Sequence, residues 1–173
     1  YSHKVNTITF FDDKNGKIIY NVILITGILS IIISLLNWKY LINKFGSITN
    51  IFLQANRIYQ MRVDGELPEA VPYVYLVSYV GVFFSGIYTA LTKRVNIIVI
   101  LPFLGVILKE ISNFGRAGIL LAVLLFIFTF FLSNKWFTGS KYFNLKENKK
   151  IITVFLIVLV LSIFGASLIK STR

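Results

Sequence analysis

Apolar residues gather into five long segments separated by short polar stretches. The first, Ile18 to Trp38, is twenty-one residues without a charge. It closes on Trp38 and Tyr40, where an interfacial aromatic belt belongs. The second, Ala70 to Thr92, is also uncharged and carries Tyr73, Tyr75, Tyr79 and Tyr88. The third, Val95 to Leu108, has only fourteen residues and contains Pro102; the fourth is Ala117 to Ser133 and the fifth Ile151 to Ile169. A helix needs about 20 apolar residues to cross a bilayer. Taken as one helix, the third and fourth would be about 58 Å long, against an apolar core of about 30 Å. They are therefore expected to form a hairpin turning through Lys109–Arg116. A short segment with an internal proline predicts a kinked or broken helix, which survives at membrane depth only when buried in protein or lining a wet cavity.

The stretch between the first two segments is too long for a simple turn. Within it Ile48, Ile51, Phe52, Ala55 and Tyr59 recur at helical spacing and form one apolar stripe. Arg57 falls on the opposite face, Arg62 at the stripe's edge, and Asp64-Gly65-Glu66-Leu67-Pro68 ends the helix. Such a helix lies in the membrane interface; whether it also shapes a groove for a lipid-linked substrate stays open. The fold class read from the pattern is all-α: a polytopic integral membrane bundle of about five transmembrane helices plus one interfacial amphipathic helix. Residues 1–173 are expected to form a single membrane domain, a piece of a larger polytopic protein.

Composition supports the class. Hydrophobic residues make up 56% of the chain and charged ones 14%, with a mean hydropathy of +0.76, outside the range of soluble domains. The net charge of +11 would raise nucleic acid as a partner in a soluble protein. Here the basic residues lie between apolar segments, which is orientation by the positive-inside rule and contact with anionic headgroups. No nucleic-acid partner is expected. With no Cys and a single His, a metal centre built from those residues is excluded, and no cofactor is expected.

Loop charge sets the orientation. Lys135, Lys141, Lys146, Lys149 and Lys150 stand against Glu147 alone in 134–150, which makes that loop cytoplasmic. Alternation puts Lys93-Arg94 and the N-terminal stretch on the same side. Outside fall Lys39–Glu69, the turn at Arg116 and the final Lys170–Arg173. Four arginines lie outside (Arg57, Arg62, Arg116, Arg173) and only Arg94 inside. Lysine suffices for topology, whereas arginine is the better fork for phosphate or carboxylate.

One turn stands out: Ser112-Asn113-Phe114-Gly115-Arg116-Ala117-Gly118. Ser112 or Asn113 is placed to cap the following helix, and Gly115 permits a tight turn. Arg116 then adds a guanidinium to free backbone N–H groups at a helix N-terminus, the makings of an anion site. Snorkelling to the headgroups is the plain alternative.

From about Trp38 to Arg173 the chain carries Lys44-Phe45-Gly46-Ser47-Ile48, Asn56-Arg57, Arg62-Val63-Asp64-Gly65, a Tyr-rich span with Gly81 and Gly86, and above all Ser112-x-x-Gly115-Arg116-x-Gly118. In these features it resembles the oligosaccharide repeat-unit polymerase family (Wzy-type O-antigen and capsular polysaccharide polymerases). It implies a multi-pass enzyme of the bacterial cytoplasmic membrane. Such an enzyme joins undecaprenyl-pyrophosphate-linked repeat units into O-antigen, capsular or exopolysaccharide at the outer face. Family members are longer than this chain and carry a large outer loop, at whose entrance Arg173 would stand. On this resemblance Arg116 and Arg173 are the expected catalytic residues, and Arg57 and Arg62 the substrate-binding ones, with no metal. The expected partners are the lipid bilayer, the lipid-linked glycans and other polysaccharide-assembly membrane proteins. Asp64, Glu66, Glu69 and Glu110 are the outer carboxylates available to activate an acceptor hydroxyl. A flippase or transporter fragment is the rival reading, resting on Pro102 and the short third segment. A non-catalytic membrane subunit is the third.

Overall fold

A computed structural model describes residues 13–71, 76–138 and 153. Its helices are α1 (Asp13–Phe45), α2 (Ile48–Leu53), α3 (Ala55–Val63), α4 (Leu76–Thr92), α5 (Ile97–Asn113) and α6 (Ala117–Thr138), and no strand occurs among the described residues. The chain is all-helical to that extent. Apart from residue 153, the expected span 151–169 lies outside the described residues, as do the basic loop beyond Thr138 and Arg173. Two helices are long and apolar enough to cross a membrane, α1 over Asn15–Phe45 and α6 over Ala117–Trp136. As described, α4 and α5 are 17 residues each, or about 26 Å.

At the centre α4 and α5 pack on each other, with α1 against one side of the pair and α6 against the other. The main core joins Val82 and Ala90 of α4, Val99, Phe103 and Val106 of α5, and Ala122, Val123, Phe126 and Phe130 of α6. The Phe103 and Phe126 rings meet edge to face at 5.6 Å.

The α1 side is built differently. Its inward register is Ile23, Gly27, Ser30, Ser34, Asn37 and Leu41, all buried. Its outward face carries Ile25, Ile28, Leu29, Ile32, Leu35 and Leu36, all exposed. A helix at a water interface does the reverse. Small and hydroxyl-bearing residues on the inner face let helix axes approach closely and hydrogen-bond across the gap. Ser34 donates to the Gly105 carbonyl of α5 at 2.8 Å. A β-carbon at Gly105 would collide with the Ser30 side chain and come within 2.9 Å of its carbonyl carbon.

The third apolar segment departs from expectation. It is not broken: α5 runs through Pro102 and continues to Asn113. Pro102 is the sixth residue of the helix, so it removes one hydrogen bond near the start; the ring is buried against Gly27 and Gly81. The hairpin turn is accordingly shorter than Lys109–Arg116, with only Phe114, Gly115 and Arg116 between α5 and α6.

The amphipathic stretch is also two helices rather than one. Ser47 caps α2, its hydroxyl accepting from the Asn50 amide at 3.1 Å, and the chain breaks at Gln54 before α3. The inward residues are Ile51, Ala55 and Ile58, at spacings of four and three across the break, while Ile48, Phe52 and Tyr59 lie on the exposed side. Ile51 and Ile58 join Leu41 and Leu67 in a second small core, with Trp38 and Phe114 packed around it.

The two ends of the bundle differ. At one, Lys93 contacts Asn134 and sits over the Phe130 ring, and Tyr20 meets Tyr88. At the other, the end of α1, the α2–α3 pair and the α5–α6 turn come together, with Phe52 edge-on to Phe114 at 5.9 Å.

Candidate functional site

The second end holds a polar network whose hub is Asn37. This residue is 4% exposed and is satisfied from both ends of its amide. Nδ2 donates to Ser112 Oγ at 2.6 Å and reaches Asn113 Oδ1 at 3.4 Å. Oδ1 accepts from Arg62 Nη2 at 3.2 Å and from the Ala70 amide at 3.3 Å. One side chain of α1 thus ties together α3, the loop after it and the end of α5.

Local structure delivers each partner. After α3, Gly65 takes a positive φ of 77° and the Leu67 amide bonds back to the Met61 carbonyl at 3.0 Å. Buried Leu67 anchors this turn in the small core, which brings Ala70 to Asn37 and Glu69 to Asn113. At the end of α5, Phe114 adopts the left-handed region (φ 53°), its amide bonding to Ile111 O and that of Gly115 to Glu110 O. This is the Schellman pattern with phenylalanine where glycine is usual. The ring's packing on Phe52 and the small core offsets the cost of the backbone.

Carboxylates complete the network. Glu69 Oε1 accepts from Asn113 Nδ2 at 2.9 Å and lies 3.4 Å from Lys109 Nζ. Lys109 also lies 3.8 Å from Glu110 Oε1. Glu110 is 7% exposed, and its Oε2 accepts from the Gly118 amide at 3.2 Å. It thereby satisfies a free N–H in the first turn of α6 and benefits from that helix's dipole. The cap expected of Ser112 or Asn113 is supplied by Glu110 instead, because both of those residues belong to α5 and face Asn37. A β-carbon at Gly118 would run into the Glu110 carboxylate and stand 2.6 Å from the Tyr79 hydroxyl.

Arg62 is the unusual member. Its Nε and Nη1 are buried and have no hydrogen-bond partner among the described residues. Burial pulls the guanidinium below its ordinary value, while nearby Glu69 and then Tyr40 act the other way. It remains a cation. Two buried N–H-bearing nitrogens without acceptors leave about 1–3 kcal/mol each unrecovered, a deficit that anionic oxygens would make good.

Of the expected site residues, Arg57, Arg62 and Arg116 come to the same end of the bundle. Arg62 enters the network through Asn37. Arg57 is exposed on α3, and Arg116 is exposed at the α5–α6 turn, its carbonyl accepting from the Leu120 amide. Among the carboxylates, Asp64 and Glu66 are exposed, whereas Glu69 and Glu110 are drawn together through Lys109. The Asn37 hub was not anticipated, although the register Ser30–Ser34–Asn37 at spacings of four and three marks one polar face on an otherwise apolar helix. No group of His, Cys, Asp or Glu able to hold a metal occurs among the described residues.

Comparison with family models, curated proteins and solved structures finds no match.

Proposed function

We propose that the chain is part of a multi-pass glycosyltransferase of the bacterial cytoplasmic membrane that polymerises undecaprenyl-pyrophosphate-linked oligosaccharide repeat units at the outer face. The observation that carries this reading is Arg62, a buried guanidinium with two open donors, at the same end of the bundle as Arg57 and Arg116. In support, the outward faces of α1 and α6 are aliphatic and aromatic while their inner faces hold the polar residues, the distribution suited to lipid. On this reading α4, α5 and the 151–169 segment are further spans, and α2–α3 lie in the outer interface.

The chemistry follows from charge. In such a transfer the acceptor hydroxyl oxygen bonds to the donor's anomeric carbon, the bond from that carbon to the lipid pyrophosphate breaks, and charge accumulates on the departing phosphate. Arginine donors fixed beforehand in a water-poor site stabilise that charge. Arg62 is held by Asn37, while Arg57 and Arg116 flank the same end. Glu69 is the carboxylate best placed to take the hydroxyl proton, being less buried than Glu110 and already oriented by Asn113 and Lys109. The continuity of α5 through Pro102 removes the broken helix on which a transport reading rested.

The test is the length of surface polysaccharide in cells carrying the full-length protein. Arg62→Lys keeps the charge but loses the planar fork. It should shift the gel pattern from long polymer to single lipid-linked repeats at unchanged protein level. A normal ladder from Arg62→Lys would refute the role given to Arg62.

A further inference from the structure

We propose that Asn37 is the positioning residue for Arg62, holding it through Nη2 and leaving Nε and Nη1, on different edges of the guanidinium, as the donors available to phosphate oxygens. The inference rests on the reading of Arg62 as an oxyanion site and adds the device that makes the site. Three observations combine. Asn37 is buried with its amide oriented by Ser112 and Asn113 on one side, which leaves Oδ1 as the end facing Arg62 and the Ala70 amide. The bond to Arg62 takes one guanidinium nitrogen, while Nε and Nη1 stay buried without an acceptor among the described residues. The nearest competing anion, Glu69, is engaged by Asn113 and Lys109. A long, flexible side chain otherwise loses much rotamer freedom on binding a ligand; here the restriction is imposed in advance by α1. Phosphate from a lipid-linked pyrophosphate and phosphate from a phospholipid headgroup share the chemistry that this arrangement recognises.

Trp38 adjoins Asn37 and donates through Nε1 to the Leu108 carbonyl at 3.0 Å, so it reports on the site. The only other tryptophan is Trp136, exposed near the end of α6 at the opposite end of the bundle. In a Trp136→Phe parent, in phosphatidylcholine nanodiscs, inorganic pyrophosphate should change the Trp38 emission saturably. Asn37→Ala should raise the pyrophosphate concentration needed by about tenfold, the equivalent of one hydrogen bond to a charged group. Because Asn37 acts through Arg62, the same substitution should have no further effect in an Arg62→Ala background; a general structural role would weaken binding in both. Ser112→Ala, which removes the shorter of the two bonds that orient the Asn37 amide, should weaken binding several-fold and serves if Asn37→Ala does not insert. Phosphatidylglycerol in the disc distinguishes the sources. Competition with pyrophosphate assigns the phosphate to a headgroup and its absence to a pyrophosphate ligand, Asn37 keeping its role in either case. If Asn37→Ala and Ser112→Ala match the parent while Arg62→Ala is weakened, Asn37 has no positioning role although the anion site stands. If the parent shows no saturable response, or Arg62→Ala matches it, the anion site itself fails.

Discussion

Gly105→Ala tests the contact that brings α1 to the bundle and, two turns further along, Asn37 to Ser112. The added methyl would lie 2.6 Å from the Ser30 Cβ and 2.9 Å from its carbonyl carbon, where carbon atoms sit at about 3.5–4.0 Å. Neither atom can rotate away, so α1 must withdraw from α5 by about 1 Å. Overpacking of this kind costs about 1–3 kcal/mol, and the Ser34–Gly105 hydrogen bond is worth about 0.5–1.5 kcal/mol. Alanine returns about 1 kcal/mol through its better helix propensity. The net loss is about 0.5–3.5 kcal/mol, which for a chain of this size lowers the unfolding midpoint by about 4–8 °C in the middle of that range. The assay is thermal unfolding in detergent followed by tryptophan fluorescence. Ser30→Gly removes the closer of the two obstacles and should restore at least half of the loss. A Gly105→Ala protein as stable as the wild type, or one that Ser30→Gly leaves unimproved, would refute the close approach of α1 and α5.

Further expectations concern the turn and the orientation. Gly118→Ala should break the bond from the Gly118 amide to Glu110 and cost about 1–3 kcal/mol, read as a lower unfolding midpoint. In a Glu110→Ala background the same change should cost less, the remainder being its contact with the Tyr79 hydroxyl. Arg116→Ala should leave insertion intact and shorten the polysaccharide, with lipid-linked single repeats accumulating on gels; polymer of normal length would remove Arg116 from the transfer. Because the chain has no native cysteine, single-Cys labelling in intact cells reads orientation cleanly. Gln54→Cys should react with a membrane-impermeant thiol reagent and Ser140→Cys should not, and the opposite pattern would invert the outer face.

How far the sequence carried differs from element to element. The helical character and the positions of α1 and α6 follow from uninterrupted apolar segments, since no other local signal competes over twenty residues. The helix ends were less legible. Lys109 and Glu110 read as turn residues by charge, yet both are inside α5, because Glu110 finds the Gly118 amide and Lys109 finds two carboxylates. Tertiary partners, invisible in a local pattern, decided those positions. The stripe through Ile48 and Tyr59 is centred to one side of the true inward face, which runs through Ile51, Ala55 and Ile58 because Leu41 and Leu67 pack against Ile51 and Ile58. At the site, the edge-of-stripe position of Arg62 already indicated partial burial. Its partner Asn37 lies 25 residues away in sequence, a pairing brought about by the packing of Ile51, Ile58 and Leu67 on Leu41 at the end of α1.

The most direct measurement is elongation by the purified full-length protein in nanodiscs supplied with undecaprenyl-pyrophosphate-linked repeat units. The wild type should produce chains of two or more repeats and release undecaprenyl pyrophosphate with each bond formed. Arg62→Lys should lower that rate by about a hundredfold or more, the loss typical of removing one fixed electrostatic donor. No elongation by the wild type, or an Arg62→Lys rate equal to it, would contradict the account.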